Sequence, residues 1–180
     1  TLRYTYPMSK SENPQKKSFV AVLWKLIPIT EFYENLKLNL LDTVLTGSSS
    51  SILNRTLMES GLGSGLAPAG FDTNFAESIF GAGLNDTDEE DAPKIGKLIF
   101  DVLQKVCDEG LEESEIHAAI HEMEFSSREI KGDHGVPFGL SLSFRGLKMM
   151  LEGGDFELGL KIDQFLSQLR EDAMKPGFFK

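Results

Sequence analysis

His117 and His121 stand four residues apart, a spacing that puts both imidazoles on one face of a helix, as a helical zinc site requires. Glu124 follows one turn later and would add a carboxylate oxygen. The surrounding text, His117-Ala-Ala-Ile-His121-Glu122-Met-Glu124-Phe125, comes near two zinc-protease motifs and completes neither. HxxEH would need Glu at 120, where Ile stands, and HExxH starting at His121 would need His at 125, where Phe stands. Without that general base, His117, His121, Glu124 and Arg128 read as the polar face of a helix opposite its apolar stripe. A metal site on His117, His121 and Glu124 is the alternative.

Other groups that could do chemistry lack the partners it needs. Gly61-Leu-Gly63-Ser-Gly65 is glycine-rich, but a phosphate-binding fingerprint needs a strand before it and a helix after it. Here the periodicity puts a helix before and a strand after, so the run reads as a turn that starts a strand. The serines at 48–51 have no adjacent His or acid to activate a hydroxyl. Cys107 follows Leu103 and Val106 on a helix and reads as a buried, inert thiol. His134 sits beside Asp133 in a loop and reads as a surface pair. The acidic run 86–91 lacks the sixth-place glycine and terminal glutamate of a calcium loop, so it reads as a solvated cap.

The elements that must position these residues follow from periodicity. Residues 1–17, with Pro7 and Pro14, read as a polar leading linker. Residues 18–27 are apolar at nearly every position, which predicts a strand buried on both faces, ended by Pro28. Thr30 can N-cap a helix carrying Leu36, Leu40, Leu41, Val44 and Leu45, with Gly47 as its stop. A short helix covers 52–59. Strands are expected over 62–70 and 75–84, joined near 72–74, with an acidic turn over 85–91. Asp88 can cap the next helix, whose stripe is Ile95, Leu98, Ile99, Val102, Leu103 and Val106. Three more helices are expected over 112–130, from Pro137 to 151, and from an Asp155 cap to 174. Segregated runs of strands and helices predict an α+β domain over 18–175, with an antiparallel sheet and helices on one face.

Composition narrows the partners. The chain has 180 residues, 41% apolar and 26% charged, within the range of a folded domain. Its net charge of -10, from 28 acidic and 18 basic residues, disfavours nucleic acid and anionic membranes as partners. One cysteine allows no internal disulfide and no cysteine-built zinc site. The first residue is Thr1, no signal-peptide core follows it, and residues 174–180 read as chain cut in mid-course. These ends suggest a segment of a longer protein, with 176–180 as the cut end.

One ordered set of segments resembles a known family. The set is Leu40-Leu-Asp-Thr-Val-Leu-Thr-Gly47, Leu57-Met-Glu-Ser-Gly-Leu-Gly63, Phe80-Gly-Ala-Gly-Leu84, residues 106–110, Glu115-Ile-His-Ala-Ala-Ile-His-Glu-Met-Glu124, and Pro137-Phe-Gly-Leu140 with Arg145-Gly-Leu147. Together they resemble the second domain of the presequence protease and falcilysin branch of the pitrilysin/insulinase zinc metallopeptidases.

The resemblance implies a parent enzyme of four related α+β domains that closes around a chamber and degrades short unfolded peptides, such as cleaved targeting sequences. Its zinc and HxxEH motif belong upstream of this segment, and no catalytic residue transfers onto it. The segment would be inactive alone. It would line the chamber beside the remaining domains, and a substrate peptide would pair with an exposed strand matching Gly63, Ser64, Gly65, Leu66 and Ala67, near Gly47. Pro68 would remove one donor there. The family domain continues into a further strand that flanks the first, so this segment would end before its last strand. Residues 19–27 would then keep a free edge able to recruit a second copy. An organelle, whether mitochondrion, plastid or vacuole, is the implied compartment. The alternative is a non-catalytic assembly module of the same fold, as in core subunits of respiratory complexes.

Overall fold

The computed structural model describes residues 1–9, 15–67, 70–130, 136–175 and 177–179. Pro14, Pro68, Asp133 and His134, each given a role above, lie outside the described residues.

The apolar run at 18–28 forms strand β1 (Ser18–Pro28), but its burial alternates. Val20, Val22 and Trp24 pack against the core, whereas Phe19 and Leu23 remain 57% and 65% exposed. This corrects the expectation of burial on both faces. An apolar run records what a strand carries, and only the packed neighbours decide how many faces are covered. Here helices cover one. The leading segment meets the other where Tyr6 packs edge-on against Phe19 with centroids 5.8 Å apart.

Strand β4 (Glu77–Thr87) pairs antiparallel with β1, matching Val20 with Leu84, Val22 with Ala82 and Trp24 with Phe80. It runs three residues past the expected strand and into the expected turn, because Thr87 is buried and its hydroxyl donates to Ser18 O at 3.2 Å. On the far side of β4, the expected strand 62–70 contributes β2 (Gly65–Leu66), and a further strand, β3 (Gly70–Asp72), starts at its expected last residue and runs to the expected turn. β1 therefore forms one edge of the sheet, and β2 with β3 forms the other.

Two apolar clusters hold the helices. Helices α1 (Phe32–Thr46), α2 (Ile52–Glu59) and α3 (Ala92–Glu109) lie on the sheet. Leu45, Leu53, Leu57, Ile95, Ile99, Val102 and Val106 meet Ala82 and Leu84 there. The second cluster joins α1 to α4 (Glu113–Arg128) and α6 (Ile162–Ala173) through Leu36, Leu40 and Val44, Ile116, Ile120 and Met123, and Leu166 and Leu169. Helix α1 serves both clusters because residues 36, 40 and 44 share one stripe while 41 and 45 lie one step around the helix. Tyr33 reinforces the second cluster by donating to Asp172 Oδ2 at 2.5 Å. Burial and the Asp172 carboxylate hold that phenol well above its ordinary pKa.

Helix α5 (Phe138–Leu151) lies outside both clusters. Lys148 ties it to the turn before β4, donating to Thr73 O and Thr73 Oγ1 at 3.1 Å. Its outer stripe of Leu140, Phe144, Leu147 and Leu151 is exposed.

Three further expectations change. Cys107 is exposed, since Val106 faces the core and the next residue turns outward by 100°. Asp88 leads a single tight turn, and α3 begins at Ala92. Asp155 does not start the last helix. Its Oδ1 accepts the Glu157 N–H at 2.9 Å in a local turn, and α6 begins at Ile162.

Candidate functional site

The metal alternative fails on geometry. Helix α4 does place His117 and His121 on one face, but each has a different neighbour. His117 Nε2 lies 3.6 Å from Glu113 Oε1, and His121 Nδ1 lies 4.0 Å from Glu124 Oε2. Glu124 is only 15% exposed, and Arg170 of α6 grips both its oxygens, Nε to Oε1 at 3.1 Å and Nη2 to Oε2 at 2.5 Å. The two-pronged guanidinium neutralises this carboxylate and takes one lone pair of each oxygen. Glu124 therefore departs from the solvated polar face and joins α4 to α6. Among the described residues no group of three His, Cys, Asp or Glu could hold a metal ion.

The substrate-strand residues fall at the β2 edge, each in a different setting. Gly63 is a packing position, where a Cβ would lie 2.5 Å from Asn85 O and 2.9 Å from Leu84 Cβ. Ser64 is held to β4 twice, its N–H donating to Asn85 O at 3.2 Å and its hydroxyl to Asp86 Oδ2 at 2.6 Å. Gly65 is open, with the nearest atom to a built Cβ at 3.9 Å. Leu66 O accepts from Asn85 Nδ2 at 2.9 Å, and Ala67 N–H donates to Gly83 O at 3.0 Å. Among the described residues, β2 has β4 on one side and no strand on the other.

Two hollows divide the set. Leu66 and Ala67 line a cavity of about 190 Å³ with Thr46, Asn54, Leu57 and Gly70. Gly47 lines a separate hollow of about 240 Å³ with Ser48, Ser51, Glu115 and Glu122. The structure thus brings Leu66 and Ala67 to the turn at the end of α1 through Thr46, and it places Gly47 against α4.

Sequence reasoning gave no role to Asp42, Thr46 or Asn54. Thr46 Oγ1 donates to Asp42 Oδ1 at 2.6 Å, and a Cβ built at Gly70 of β3 would lie 3.5 Å from the same oxygen. Asn54 of α2 donates to Thr46 O at 2.6 Å and Ser48 O at 3.0 Å, fixing the end of α1. Burial pushes the Asp42 carboxyl above its ordinary pKa, and the Thr46 bond opposes that rise. The one available signal was Asp42 four residues before Thr46, within reach of each other on a helix.

Comparison with known proteins gives the family and the fold. The family described as the peptidase M16 inactive domain matches residues 5–123. Presequence protease 1, chloroplastic/mitochondrial, of Arabidopsis thaliana is 31% identical over 174 residues, covering 96% of this chain and 16% of the plant protein. The mitochondrial presequence protease of Mus musculus is 27% identical over 171 residues, covering 92% of this chain and 16% of the mouse protein. The chain thus spans about a sixth of the length of these relatives. The solved peptidase M16 inactive domain from Pseudomonas fluorescens aligns with TM-score 0.62 at 20% identity, over 91% of this chain and 37% of that one. That likeness supports the α+β fold, with its antiparallel sheet and packed helices. The resemblance drawn from the ordered segments holds, and the chain belongs to the peptidase M16 inactive-domain family.

Proposed function

We propose that this chain is the second, non-catalytic domain of a presequence-protease-like zinc metalloendopeptidase that degrades short unfolded peptides. The observation that carries this reading is 31% identity to a presequence protease across 96% of the chain, within a family described as inactive. Zinc and the hydrolytic motif would belong to another domain of the parent, and the segment alone would be inactive. The relatives named as mitochondrial or chloroplastic support an organelle as its compartment.

Within that parent the domain would form chamber wall, with the β2 edge as a substrate exosite. An extended peptide would add to the sheet there, its backbone supplying the pairing and the neighbouring cavity taking a side chain. Ala67 N–H bonds Gly83 O on β4, so alternation along the strand turns the Leu66 N–H outward. Leu66→Pro in the intact protein removes that donor. It is expected to raise KM for an unfolded peptide about fivefold, the worth of one backbone hydrogen bond, with kcat unchanged. An unchanged KM would reject the exosite.

The opposite edge carries a separate expectation. Among the described residues β1 pairs with β4 on one side only, and it exposes Phe19 and Leu23. We propose that the isolated segment pairs with a second copy along β1. Light scattering should show mass rising with concentration, and Leu23→Lys should reduce that rise. A monomer at every concentration would refute it.

A further inference from the structure

We propose that Asn85 is a positioning residue for the peptide-binding edge: a bulge in β4 turns its side chain onto the Leu66 carbonyl and so sets the Leu66 amide toward a peptide carbonyl. This rests on the exosite reading of β2 and adds the residue that aims it.

The bulge shows in the register and in the packing. Ser18 pairs with Thr87 and Val20 with Leu84, so two steps on β1 span three on β4. β4 therefore carries one extra residue between Leu84 and Thr87. A Cβ built at Gly63 would lie 2.9 Å from Leu84 Cβ and 3.1 Å from Thr87 Cγ2, so both side chains meet at one point. In a regular strand, residues three apart face opposite ways. Asp86 takes up the irregularity with φ +50, a left-handed conformation that Asp adopts more readily than most residues. Its carboxylate is braced from both sides, by the Ser64 hydroxyl at 2.6 Å and by Lys17 Nζ at 3.7 Å. Bulges of this kind re-aim side chains beside binding sites.

Here the re-aimed side chain is Asn85. Its Nδ2 donates to Leu66 O at 2.9 Å, while the Ala67 N–H donates to Gly83 O at 3.0 Å. Both ends of the Leu66–Ala67 peptide unit are thus tied to β4. Two residues back, the Ser64 N–H is tied to Asn85 O at 3.2 Å. With the backbone held on either side of it, the outward Leu66 N–H keeps one direction, and a donor fixed before binding loses little freedom on binding. Such a donor recognises peptide backbone whatever side chains the peptide carries. Among the described residues Asn85 Oδ1 is buried without a partner. That cost fits an amide kept for its donor, since an apolar side chain would pack there without it.

The test uses the intact protein with an unfolded fluorogenic peptide, together with hydrogen exchange at residues 64–67. Asn85→Ala is expected to speed exchange of the Ala67 amide about tenfold and raise KM about threefold, with kcat within about twofold. The rise stays below that of Leu66→Pro because the donor is misaimed rather than lost. Combined with Leu66→Pro, Asn85→Ala should add nothing further to KM, since it acts through the amide that proline removes. A purely structural role would multiply the two effects, and that result overturns the proposal. If Asn85→Ala leaves KM unchanged while Leu66→Pro raises it, the exosite stands and the role of Asn85 is overturned. If neither raises KM, the exosite fails and takes this proposal with it. Should Asn85→Ala not fold, Asn85→Asp keeps the shape and replaces the donor by a second acceptor. The same rise in KM is then expected, and an unchanged KM overturns the proposal.

Discussion

Gly83→Val is expected to destabilise the protein by about 3 kcal/mol or more and to loosen β1 from the sheet. A Cβ built at Gly83 would lie 2.7 Å from Ala21 Cα and 2.9 Å from Ala21 Cβ, and closer still to Val20 O. Most of these atoms are β1 backbone, which cannot rotate away as a side-chain tip can. The register shifts between Ser18 and Val20, so β1 already approaches β4 irregularly at this point. Relief requires β1 to move, and with it the pairs that seat Val20, Val22 and Trp24 over the core. Gly96 is the control. It lies in α3 with nothing within 4 Å of a built Cβ, so Gly96→Ala should stabilise by up to about 1 kcal/mol. Urea unfolding of both variants decides the matter. A Gly83→Val midpoint equal to wild type would show that the two strands do not approach as described.

Leu40→Ala is expected to cost about 2–5 kcal/mol, a large part of a typical domain's total of about 5–15 kcal/mol. Leu40 is fully buried where α1 meets α4 and α6, beside Leu36, Val44, Ile120 and Leu169. The lost side chain would leave a cavity that three helices cannot easily close. This cluster lies apart from the sheet core, so the loss should fall unevenly. Hydrogen exchange should quicken first in α4 and α6, while β1 and β4 keep their protection. Uniform loss across the chain would mean that the two clusters unfold as one unit. A cost under about 1 kcal/mol would contradict the packing itself.

Some of this was open to sequence reasoning because periodicity is a local property. The α3 stripe of Ile95, Ile99, Val102 and Val106 was visible in spacing alone, and all four residues are buried. The same holds for Ile116, Ala119, Ile120 and Met123 on α4. The ordered segments also sufficed for the family, since relatives preserve order where no single motif is diagnostic.

What escaped has a common cause. Spacing says which residues share a face, and says nothing of what covers that face. The apolar β1 therefore looked buried twice over, although among the described residues helices cover one side and Phe19 and Leu23 stay exposed on the other. Glu124 looked like a solvated neighbour of His121, yet its partner is Arg170, 46 residues away. Asp42 looked like one polar position on a helix, and it lies beside Gly70 of β3, where a built Cβ would come within 3.5 Å of its Oδ1. Local physics was enough for the elements, the α+β class and the family. Which faces stayed open and which carboxylates were paired were decided by long-range packing, because each depends on segments that meet only when the chain folds.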